Sequence, residues 1–362
     1  MHLDEEAGQM SKKNRSKLKL ILSFAIGALL LVGMLWYVGF NSLWVAVGQA
    51  SVSWLIISAL TVLPVYLLRA WRWRTLLKPV KNAVEISNTF WTTSIGFMAN
   101  TLIPIRLGEI IRVYILGEKE KVGFASGFSS VVIERTLDLL ALVTLGLTAL
   151  LILPQGTGTP AWLIDSLKVI GGLVAAIMAI LIVGTKKEKA VLGLLNRVLT
   201  SLHIPSRAKE KITEFAKSLI EGAKGISQSP KILVTALAST WALWFMSFTG
   251  FYFVFKAFNY PAAVTTILLG AVIMYLTSII PAAPGYMGTY EAYWTLTFLG
   301  LGLTQIDLLL AMGLVSHLIG LMTTIILGCA GIMWLGLSFE EVFKIRRPER
   351  PQLSTLETSI KA

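Results

Sequence analysis

The stretch "NTLIPIRLGEIIR", Asn100–Arg112, places three charged residues, Arg106, Glu109 and Arg112, at intervals of three in a strongly apolar chain. The segment 86–105 before them is uncharged, is long enough to cross a bilayer, and is rich in Ser, Thr and Asn. A proline near its end breaks the helix, and the following "RLGEIIRVYIL" is too short to span. These features predict a re-entrant pair, which enters the membrane, breaks and returns.

Composition sets the fold class. The chain has 362 residues, of which 55% are apolar and 14% charged, and its mean hydropathy is +0.72. A soluble domain carries about 25% charged residues. Uncharged runs separate Lys19 from Arg69, Lys256 from Glu291, and Asp307 from Glu340. Because a membrane helix needs about 20 mainly apolar residues, the sequence predicts an all-α, polytopic membrane bundle of about eight segments, two of them broken or re-entrant.

The basic residues indicate orientation. The formal net charge is +12. Clusters occur at Lys12–Lys19, Arg69–Lys81, Arg106–Lys121, Lys186–Lys231 and Lys344–Arg350. Such clusters are typical of cytoplasmic loops and interact favourably with anionic lipid head groups, so we expect both termini to be cytoplasmic. The clusters flank predicted spans and form no soluble basic domain, so nucleic acid is not an expected partner.

One cluster alternates arginine with tryptophan, in "RAWRWR", residues 69–74. Because it follows a predicted span over about 53–69, anchoring at the membrane interface accounts for it. Gathering of lipid head groups is the alternative. Pro64 is expected to kink that span.

The predicted domain organisation follows from these flanks. A basic cytoplasmic segment over 1–19 precedes one membrane domain over 20–337, and a basic cytoplasmic tail over 338–362 follows it. The halves of the membrane domain cover 20–184 and 232–337. Between them, the linker 185–231 contains an amphipathic helix with Ile212, Phe215, Leu219 and Ile220 at helical spacing. This helix lies on the inner membrane surface or is a solvated linker; the pattern fits both.

A second broken segment occurs in the second half. The stretch "PAAPGYMGTYE", Pro281–Glu291, repeats the order proline, glycine, glutamate seen in Pro104–Glu109 and likewise follows a long uncharged run. Paired interruptions in corresponding positions predict an inverted repeat with a binding site near the middle of the membrane. Gly108, Gly285 and Gly288 would permit close approach of the backbone at these breaks.

The first break predicts an anion site. A helix that begins after Pro104 places Arg106, Glu109 and Arg112 on one face, so that Glu109 bridges two arginines. Arginine suits phosphate because its planar fork donates two hydrogen bonds at once, and exposed N–H groups at a broken helix also favour anions. The alternative is that these charges only mark a cytoplasmic re-entry.

A second charged group follows in "IERTLD", where Glu134 and Asp138 share a helical face beside Arg135. A salt bridge to Arg106 or Arg112 and a direct substrate contact are both compatible with it. A carboxylate that orients an arginine still belongs to the site.

The second half carries fewer titratable groups. Glu291, between Tyr286 and Tyr290, either pairs with an arginine of the first half or carries a proton. His317, in an uncharged run, is a helix–helix hydrogen-bond partner or a proton relay. No second histidine or carboxylate lies at metal-ligand spacing from it, so no metal site is expected. The single cysteine, Cys329, lies in an apolar run and is expected to be a packing residue.

Three ordered motifs resemble those of the lysylphosphatidylglycerol synthase transmembrane-region family. The first runs N-x-x-x-P-x-R-x-G-E-x-x-R from Asn100 to Arg112, the second is E-R-x-x-D, Glu134–Asp138, and the third is P-x-x-P-G-x-x-G-x-x-E, Pro281–Glu291. The resemblance extends from about residue 18 to 340. Its best known members join this membrane region to a soluble domain that transfers aminoacyl groups from tRNA to phosphatidylglycerol, and the membrane region is thought to move the product between leaflets.

The resemblance implies a stand-alone flippase-like protein in a prokaryotic plasma membrane, without synthase activity and without a cofactor. The sequence contains no Walker A loop, Rossmann fingerprint, nucleophile elbow or HExxH motif, so nucleotide hydrolysis is not expected. Other stand-alone relatives are linked with polyprenyl-phosphate sugars or hopanoids, so the lipid stays open. The expected substrate-binding residues are Asn100, Arg106, Glu109, Arg112, Glu134, Arg135, Asp138, Gly285, Tyr286, Gly288, Tyr290 and Glu291.

The leading hypothesis is therefore translocation of a phosphate-bearing lipid, such as an aminoacyl-phospholipid, a phospholipid or a polyprenyl-phosphate-linked lipid. One alternative is an integral membrane transferase acting on a lipid phosphate, which would need a free base beside the phosphate site. Another is a non-transporting partner of a separate lipid synthase or glycosyltransferase. Homo-oligomerisation stays open.

Overall fold

The computed structural model describes residues 32–33, 36, 40–103, 107–152, 161–202, 204–278 and 283–343. The helices in this part of the chain are α1 Phe40–Gly48, α2 Val52–Leu60, α3 Val62–Leu77, α4 Ile86–Leu102, α5 Gly108–Glu120, α6 Phe124–Ile152, α7 Ala161–Ser201, α8 Ser206–Ser227, α9 Pro230–Ala257, α10 Val264–Thr277, α11 Thr289–Gly300, α12 Ile306–Trp334 and α13 Phe339–Phe343. A short 3₁₀ turn, Pro284–Tyr286, precedes α11. An all-helical polytopic membrane bundle is confirmed.

Five helical segments among the described residues are long and apolar enough to cross a membrane: Val52–Leu77, Phe124–Ile152, Lys168–Ser201, Pro230–Ala257 and Ile306–Trp334. A shorter apolar helix, α10, accompanies them. The predicted first span over 20–40 lies almost entirely outside the described residues. The total number of crossings therefore stays a prediction.

The two halves repeat one order of helix lengths. In the first half, a 26-residue span made of α2 and α3 is followed by helices of 17, 13 and 29 residues, α4 to α6. In the second half, α9 to α12 contain 28, 14, 12 and 29 residues. Each break falls between the two short helices. At about 1.5 Å per residue, neither α5 nor α11 reaches across a hydrocarbon core of about 30 Å.

The span α2–α3 is interrupted at Thr61, three residues before Pro64, whose missing N–H leaves the carbonyl of Leu60 without its helical donor. Thr61 keeps helical backbone angles, so a kink at Pro64 stays a prediction. The helix then continues past Arg69 to Leu77, so "RAWRWR" lies within a helix and not at its end.

The helix α7 differs from expectation at both ends. The Gly, Pro and Thr residues of 154–168 favour a loop, yet α7 already begins at Ala161, and it continues beyond residue 184, the predicted end of the first half, to Ser201, with one non-helical residue at Lys187. A proline immediately before Ala161 suits a helix start. The predicted amphipathic helix is confirmed as α8, but it packs against α6 and α7: Ile220 and Ile226 are buried, and Phe215 contacts Phe128.

Aromatic rings fill the core of the second half. Trp294 is fully buried, stacks on Phe251 at 5.1 Å between ring centroids, and contacts Phe298 at 4.9 Å. Two glycines on neighbouring helices provide the space, since a Cβ at Gly270 would overlap the Phe298 ring and one at Gly313 would lie 2.9 Å from Trp294. This packing fixes α10, α11 and α12 around the second break.

Glu120, which lies outside the five candidate spans, joins the end of α5 to the start of α4. Its carboxylate accepts hydrogen bonds from Lys81 Nζ at 2.6 Å, Asn88 Nδ2 at 2.7 Å and the backbone N–H of Glu85 at 3.0 Å. Burial alone would raise the pKa of Glu120, but these hydrogen bonds outweigh it and hold the pKa below its usual value of 4.5.

We expect Glu120→Gln to lower the free energy of unfolding by about 1–3 kcal/mol at neutral pH, because charge-assisted hydrogen bonds are lost. A carboxylate with a depressed pKa stabilises the fold above its unfolded pKa, and this contribution disappears as the pH falls through the folded pKa. Melting temperatures in detergent should therefore differ at neutral pH and converge as the pH falls well below 4.5, the usual pKa of the carboxyl. The exposed Glu118, changed to Gln, is the control; a pH-independent difference would contradict the assignment.

Candidate functional site

The buried face of α3 carries the first two cations of the site. Arg69 and Arg72 are 7% and 0% exposed. Trp73 is also fully buried, whereas Trp71 is exposed. Spacings of three and four residues place Arg69, Arg72 and Trp73 on one side of the helix. Interfacial anchoring, predicted for this sequence, is therefore wrong for Arg69 and Arg72, because the helix continues and turns them into the bundle.

The acids on α6 receive these arginines. Arg72 donates to both oxygens of Asp138, at 2.6 and 3.2 Å, and to Thr240 Oγ1 at 3.1 Å. It also lies 3.1 Å from Glu134. Arg69 approaches Asp138 at 3.9 Å. Glu134 and Asp138 are 0% and 3% exposed, so these ion pairs between α3 and α6 are shielded from solvent, and the hydrogen bond to Thr240 adds α9.

Two further arginines complete the cluster. Arg112 pairs with Glu109 at 2.7 Å and with Glu134 at 3.3 Å. Arg135 contacts Glu134 closely, Asp138 at 3.1 Å and Glu109 at 3.8 Å. We call the seven residues the arginine–carboxylate network: Arg69, Arg72, Arg112, Arg135, Glu109, Glu134 and Asp138. Four arginines against three carboxylates give it one net positive charge.

Aromatic rings contact two of these guanidinium groups in addition to the carboxylates. The guanidinium carbon of Arg112 lies 4.5 Å from the Trp73 ring centroid. That of Arg69 lies 4.8 Å from Phe97 and 5.5 Å from Trp244, whose indole N–H donates to Asp138 at 2.9 Å. Stacking on rings stabilises a buried cation without using its hydrogen-bond donors. Arg69 accordingly keeps an Nη1 that makes no hydrogen bond within the described residues.

The first break brings α4 and α5 into backbone contact. Asn100 Oδ1 accepts the N–H of Gly108 at 2.7 Å, so a side chain of α4 caps α5 across the break. A Cβ at Gly108 would overlap the Gly96 carbonyl, and one at Gly96 would lie 2.9 Å from the Gly108 carbonyl. Close approach through glycine, expected for Gly108, is confirmed, and it brings Glu109 and Arg112 towards α6.

The second break is held by a histidine. Gly285, Tyr286 and Gly288 have φ of +68°, +56° and +74°. This left-handed region is readily adopted by glycine but is unfavourable for tyrosine. His317 of α12 bonds through Nε2 to the Gly285 carbonyl and through Nδ1 to Glu291 Oε1, each at 2.7 Å. Both ring nitrogens are thus engaged, and Glu291 pairs with His317 and not with an arginine among the described residues.

A cavity of about 580 Å³ is lined by residues of the arginine–carboxylate network and by residues at the second break. Its ionic wall includes Arg69, Glu109, Arg135 and Asp138, and its opposite wall includes Tyr286, Tyr290, Ser316 and His317. Hydroxyl and amide groups from α2, α3, α4, α9, α10 and α12 complete the polar lining: Ser58, Thr61, Tyr66, Asn100, Thr101, Ser247, Tyr275, Ser278, Thr323 and Thr324. Many of these hydroxyls are already bonded within the walls, as Tyr66 is to Thr324 and Tyr290 to Ser316.

The sequence profile of the lysylphosphatidylglycerol synthase TM region family matches residues 20–336. The chain belongs to this family. Its similar relatives include a UPF0104 membrane protein of Methanothermobacter thermautotrophicus, 21% identical over 87% of this chain and 95% of the relative. UPF0104 membrane proteins of Pyrococcus horikoshii and Methanocaldococcus jannaschii are 24% and 26% identical, over 80% and 53% of this chain and 89% and 75% of theirs. No solved structure matches this chain.

The family motifs meet in space, although not all of their residues line the cavity. Of the predicted residues, Asn100, Glu109, Arg135, Asp138, Tyr286 and Tyr290 line it. Arg112 and Glu134 do not line the cavity, but they contact the lining residues Glu109 and Arg135. Gly285 and Glu291 likewise do not line it, but they bond to His317, and Gly288 lies between them in the chain. Arg106, together with Pro104 and Pro281, lies outside the described residues. Within the described part of the chain, no three His, Cys, Asp or Glu side chains converge as metal ligands.

The sequence does not predict Arg69, Arg72 and Trp244 as residues of the site. Local spacing gave no signal for them, because the inward orientation of Arg69 and Arg72 depends on the continuation of α3 to Leu77, and Trp244 lies on another helix, α9. Cys329 behaves as expected, packing 3.9 Å from the sulfur of Met98.

Proposed function

We propose that this chain binds a phosphate-bearing membrane lipid by its head group and moves it between the leaflets. The observation that carries the proposal is the guanidinium of Arg69. It lines the cavity, is 7% exposed, and retains an Nη1 without a hydrogen-bond partner among the described residues. Its nearest carboxylate, that of Asp138, lies 3.9 Å from Nη1, beyond hydrogen-bond distance, so this cation is incompletely neutralised. A phosphate in the cavity would give this guanidinium a closer anionic partner than Asp138.

Arg135 gives the phosphate a second cation. It lines the cavity with a side chain that is 35% exposed, the most accessible of the four arginines in the network. Glu109, Glu134 and Asp138 position both guanidinium groups and cannot themselves attract an anion. Arg112 is 1% exposed and packs on Trp73, which makes it a positioning residue in this proposal. The predicted role of Arg106 as a phosphate ligand stays a prediction.

The cavity's size and position support a head-group site. A volume of about 580 Å³ lies within the range of about 300–1,000 Å³ that is common for small-ligand pockets. It holds a head group but not two acyl chains, which would stay in the surrounding lipid. Because both halves of the repeat contribute walls, a rocking of one half against the other would expose the site to alternate sides of the membrane.

Reconstitution tests the proposal. Proteoliposomes containing fluorescent phosphatidylglycerol or phosphatidylethanolamine would be treated with dithionite, which bleaches only the outer leaflet. We expect wild type to bleach beyond the outer-leaflet fraction seen in protein-free liposomes, and Arg69→Gln to slow this about tenfold, the effect of losing one charge-assisted hydrogen bond. Arg74→Gln is the matched control, because Arg74 lies on the same helix but bonds the Val84 carbonyl outside the cavity.

Mass spectrometry of lipids that co-purify in mild detergent complements this assay. We expect one phosphate-bearing lipid class to be enriched with wild type and Arg74→Gln and depleted with Arg69→Gln. Equal bleaching with and without wild-type protein, together with no enriched phospholipid, would overturn the proposal. A covalently altered lipid in the same samples would favour the transferase alternative.

A further inference from the structure

The pair formed by Glu291 and His317 has no part in holding a phosphate, yet it is buried at the cavity. Glu291 is 2% exposed and His317 is 8% exposed. The imidazole lines the cavity and stacks on Tyr290 with 4.6 Å between ring centroids and an interplanar angle of 17°. A buried carboxylate–imidazole pair beside a transport cavity is a place where a proton can be bound and released.

The hydrogen bonds determine how many protons the pair holds. A backbone carbonyl only accepts, so the contact of His317 Nε2 with the Gly285 carbonyl requires a proton on Nε2. The contact between Nδ1 and Glu291 Oε1, also at 2.7 Å, then needs one further proton. That proton resides on Nδ1, as an imidazolium facing a carboxylate, or on Oε1, as an acid donating to a neutral ring. Without it, two lone pairs would face each other at 2.7 Å.

The pair is distinct among the acidic groups around the cavity. Glu109 and Asp138, on α5 and α6, are held by arginines, as is Glu134 behind them. The helix α4 carries no charged residue over Ile86–Leu102. The remaining titratable groups that face the cavity are Arg69 and Tyr66 on α3, Arg135 on α6, Tyr275 on α10, Tyr286 in the 3₁₀ turn and Tyr290 on α11. Within the described residues, Glu291 alone among these carboxylates is paired with a histidine and not with an arginine.

Release of the proton would change the conformation of the second break. The carbonyl that His317 holds belongs to Gly285, in a turn where Tyr286 adopts a left-handed conformation that a side chain rarely adopts. Tyr286 and Tyr290 form part of the cavity wall. Repulsion between an unprotonated Nδ1 and the Glu291 carboxylate would displace the ring, and its bond to Gly285 would be lost with it. The conformation of this wall is thereby coupled to the occupancy of one proton site.

We propose that Glu291 and His317 form the binding site for a proton that is exchanged in each cycle of lipid translocation; this rests on the proposed function. The proton binds between Nδ1 and Oε1, and its release leaves a neutral imidazole with Nε2–H and a carboxylate. A lipid phosphate brings negative charge to a cavity that the bound proton makes one unit more positive. Phosphate binding therefore favours the protonated pair, and loss of the proton favours release of the head group.

The test uses wild-type proteoliposomes that contain a pH-sensitive dye in the lumen and fluorescent phosphatidylglycerol in the bilayer, with an imposed pH gradient. Exchange of one proton per lipid makes a gradient of one pH unit change the steady-state leaflet ratio by about tenfold. We expect this ratio to invert when the gradient is reversed, and lumenal pH to change with lipid movement. Lipid movement that ignores the gradient and leaves lumenal pH unchanged would overturn the proton site while leaving translocation intact.

Two variants locate the proton. Glu291→Gln and His317→Gln replace titrating groups with amides, and the second retains an N–H for the Gly285 carbonyl. We expect both to lose the gradient response and the lumenal pH change. Asp307→Asn, an exposed residue on the same helix α12, should retain both. A full gradient response in either folded dyad variant, judged by size-exclusion and melting temperature, would contradict the assignment. If neither variant folds, the wild-type measurement still decides, and no lipid movement at all would instead refute the proposed function.

Discussion

Replacing Arg72 by methionine is expected to destabilise the protein by about 3 kcal/mol or more, because breaking a buried ion pair leaves charge uncompensated in the interior. Arg72 is 0% exposed and makes a two-pronged contact with Asp138 and a third with Glu134. Its loss would remove the closest arginine from Asp138 and one of the three arginines that contact Glu134, and it would break the ion pairs of Arg72 that join α3 to α6. Thermal unfolding in detergent, followed by size-exclusion, measures the effect.

Arg72→Lys separates charge from geometry. Lysine keeps the cation but cannot reproduce the planar fork, so we expect a melting temperature between those of wild type and Arg72→Met. Arg74→Met removes the same group from the same helix at a half-buried position outside the network and should cost far less. Equal melting temperatures for Arg72→Met and Arg74→Met would show that the network does not hold these helices together.

The second large effect is expected for Gly108→Ala. The new Cβ would overlap the Gly96 carbonyl oxygen and lie 2.6 Å from Asn100 Oδ1, the atom that caps α5. Backbone atoms cannot move aside as a flexible side chain can, so α4 and α5 must separate. We expect a loss of about 3 kcal/mol or more, the upper range for overpacking. The cap would be broken as well, so Glu109 and Arg112 would lose their placement against α6.

Gly193→Ala provides a control with the opposite sign. Gly193 lies in α7 with open space around the position of a Cβ. Alanine is favoured over glycine in a helix by up to about 1 kcal/mol, so this variant should melt at or above the wild-type temperature. If both variants retain the wild-type melting temperature, Gly108 does not pack closely against the Gly96 carbonyl.

Local spacing was enough to predict much of the site. Glu134, Arg135 and Asp138 share a helical turn, and Glu109 and Arg112 are three residues apart, so their clustering on helix faces follows from the period of the helix. The predicted interruptions are likewise found, because α4 ends at Leu102 and α5 begins at Gly108, and α10 ends at Thr277 and α11 begins at Thr289.

Contacts between distant segments could not be predicted in the same way. "RAWRWR" has the composition of an interfacial anchor, and only the continuation of α3 to Leu77 turns Arg69 and Arg72 inward. The pairing of His317 with Glu291 depends on how α11 and α12 pack, which no spacing within one helix determines. The start of α7 at Ala161 was obscured by the Gly and Pro residues before it, although proline at a helix start is common.

The bond between Arg72 and Asp138 joins residues 66 positions apart, which has a consequence for biogenesis. Val52–Leu77 emerges from the ribosome before Phe124–Ile152 has been synthesised. An arginine without its counter-ion costs about 2.5–3.5 kcal/mol at the centre of a bilayer on the insertion scale. The earlier segment therefore gains its full preference for the bilayer only when the later one arrives, and insertion of the two is expected to be concerted and not sequential.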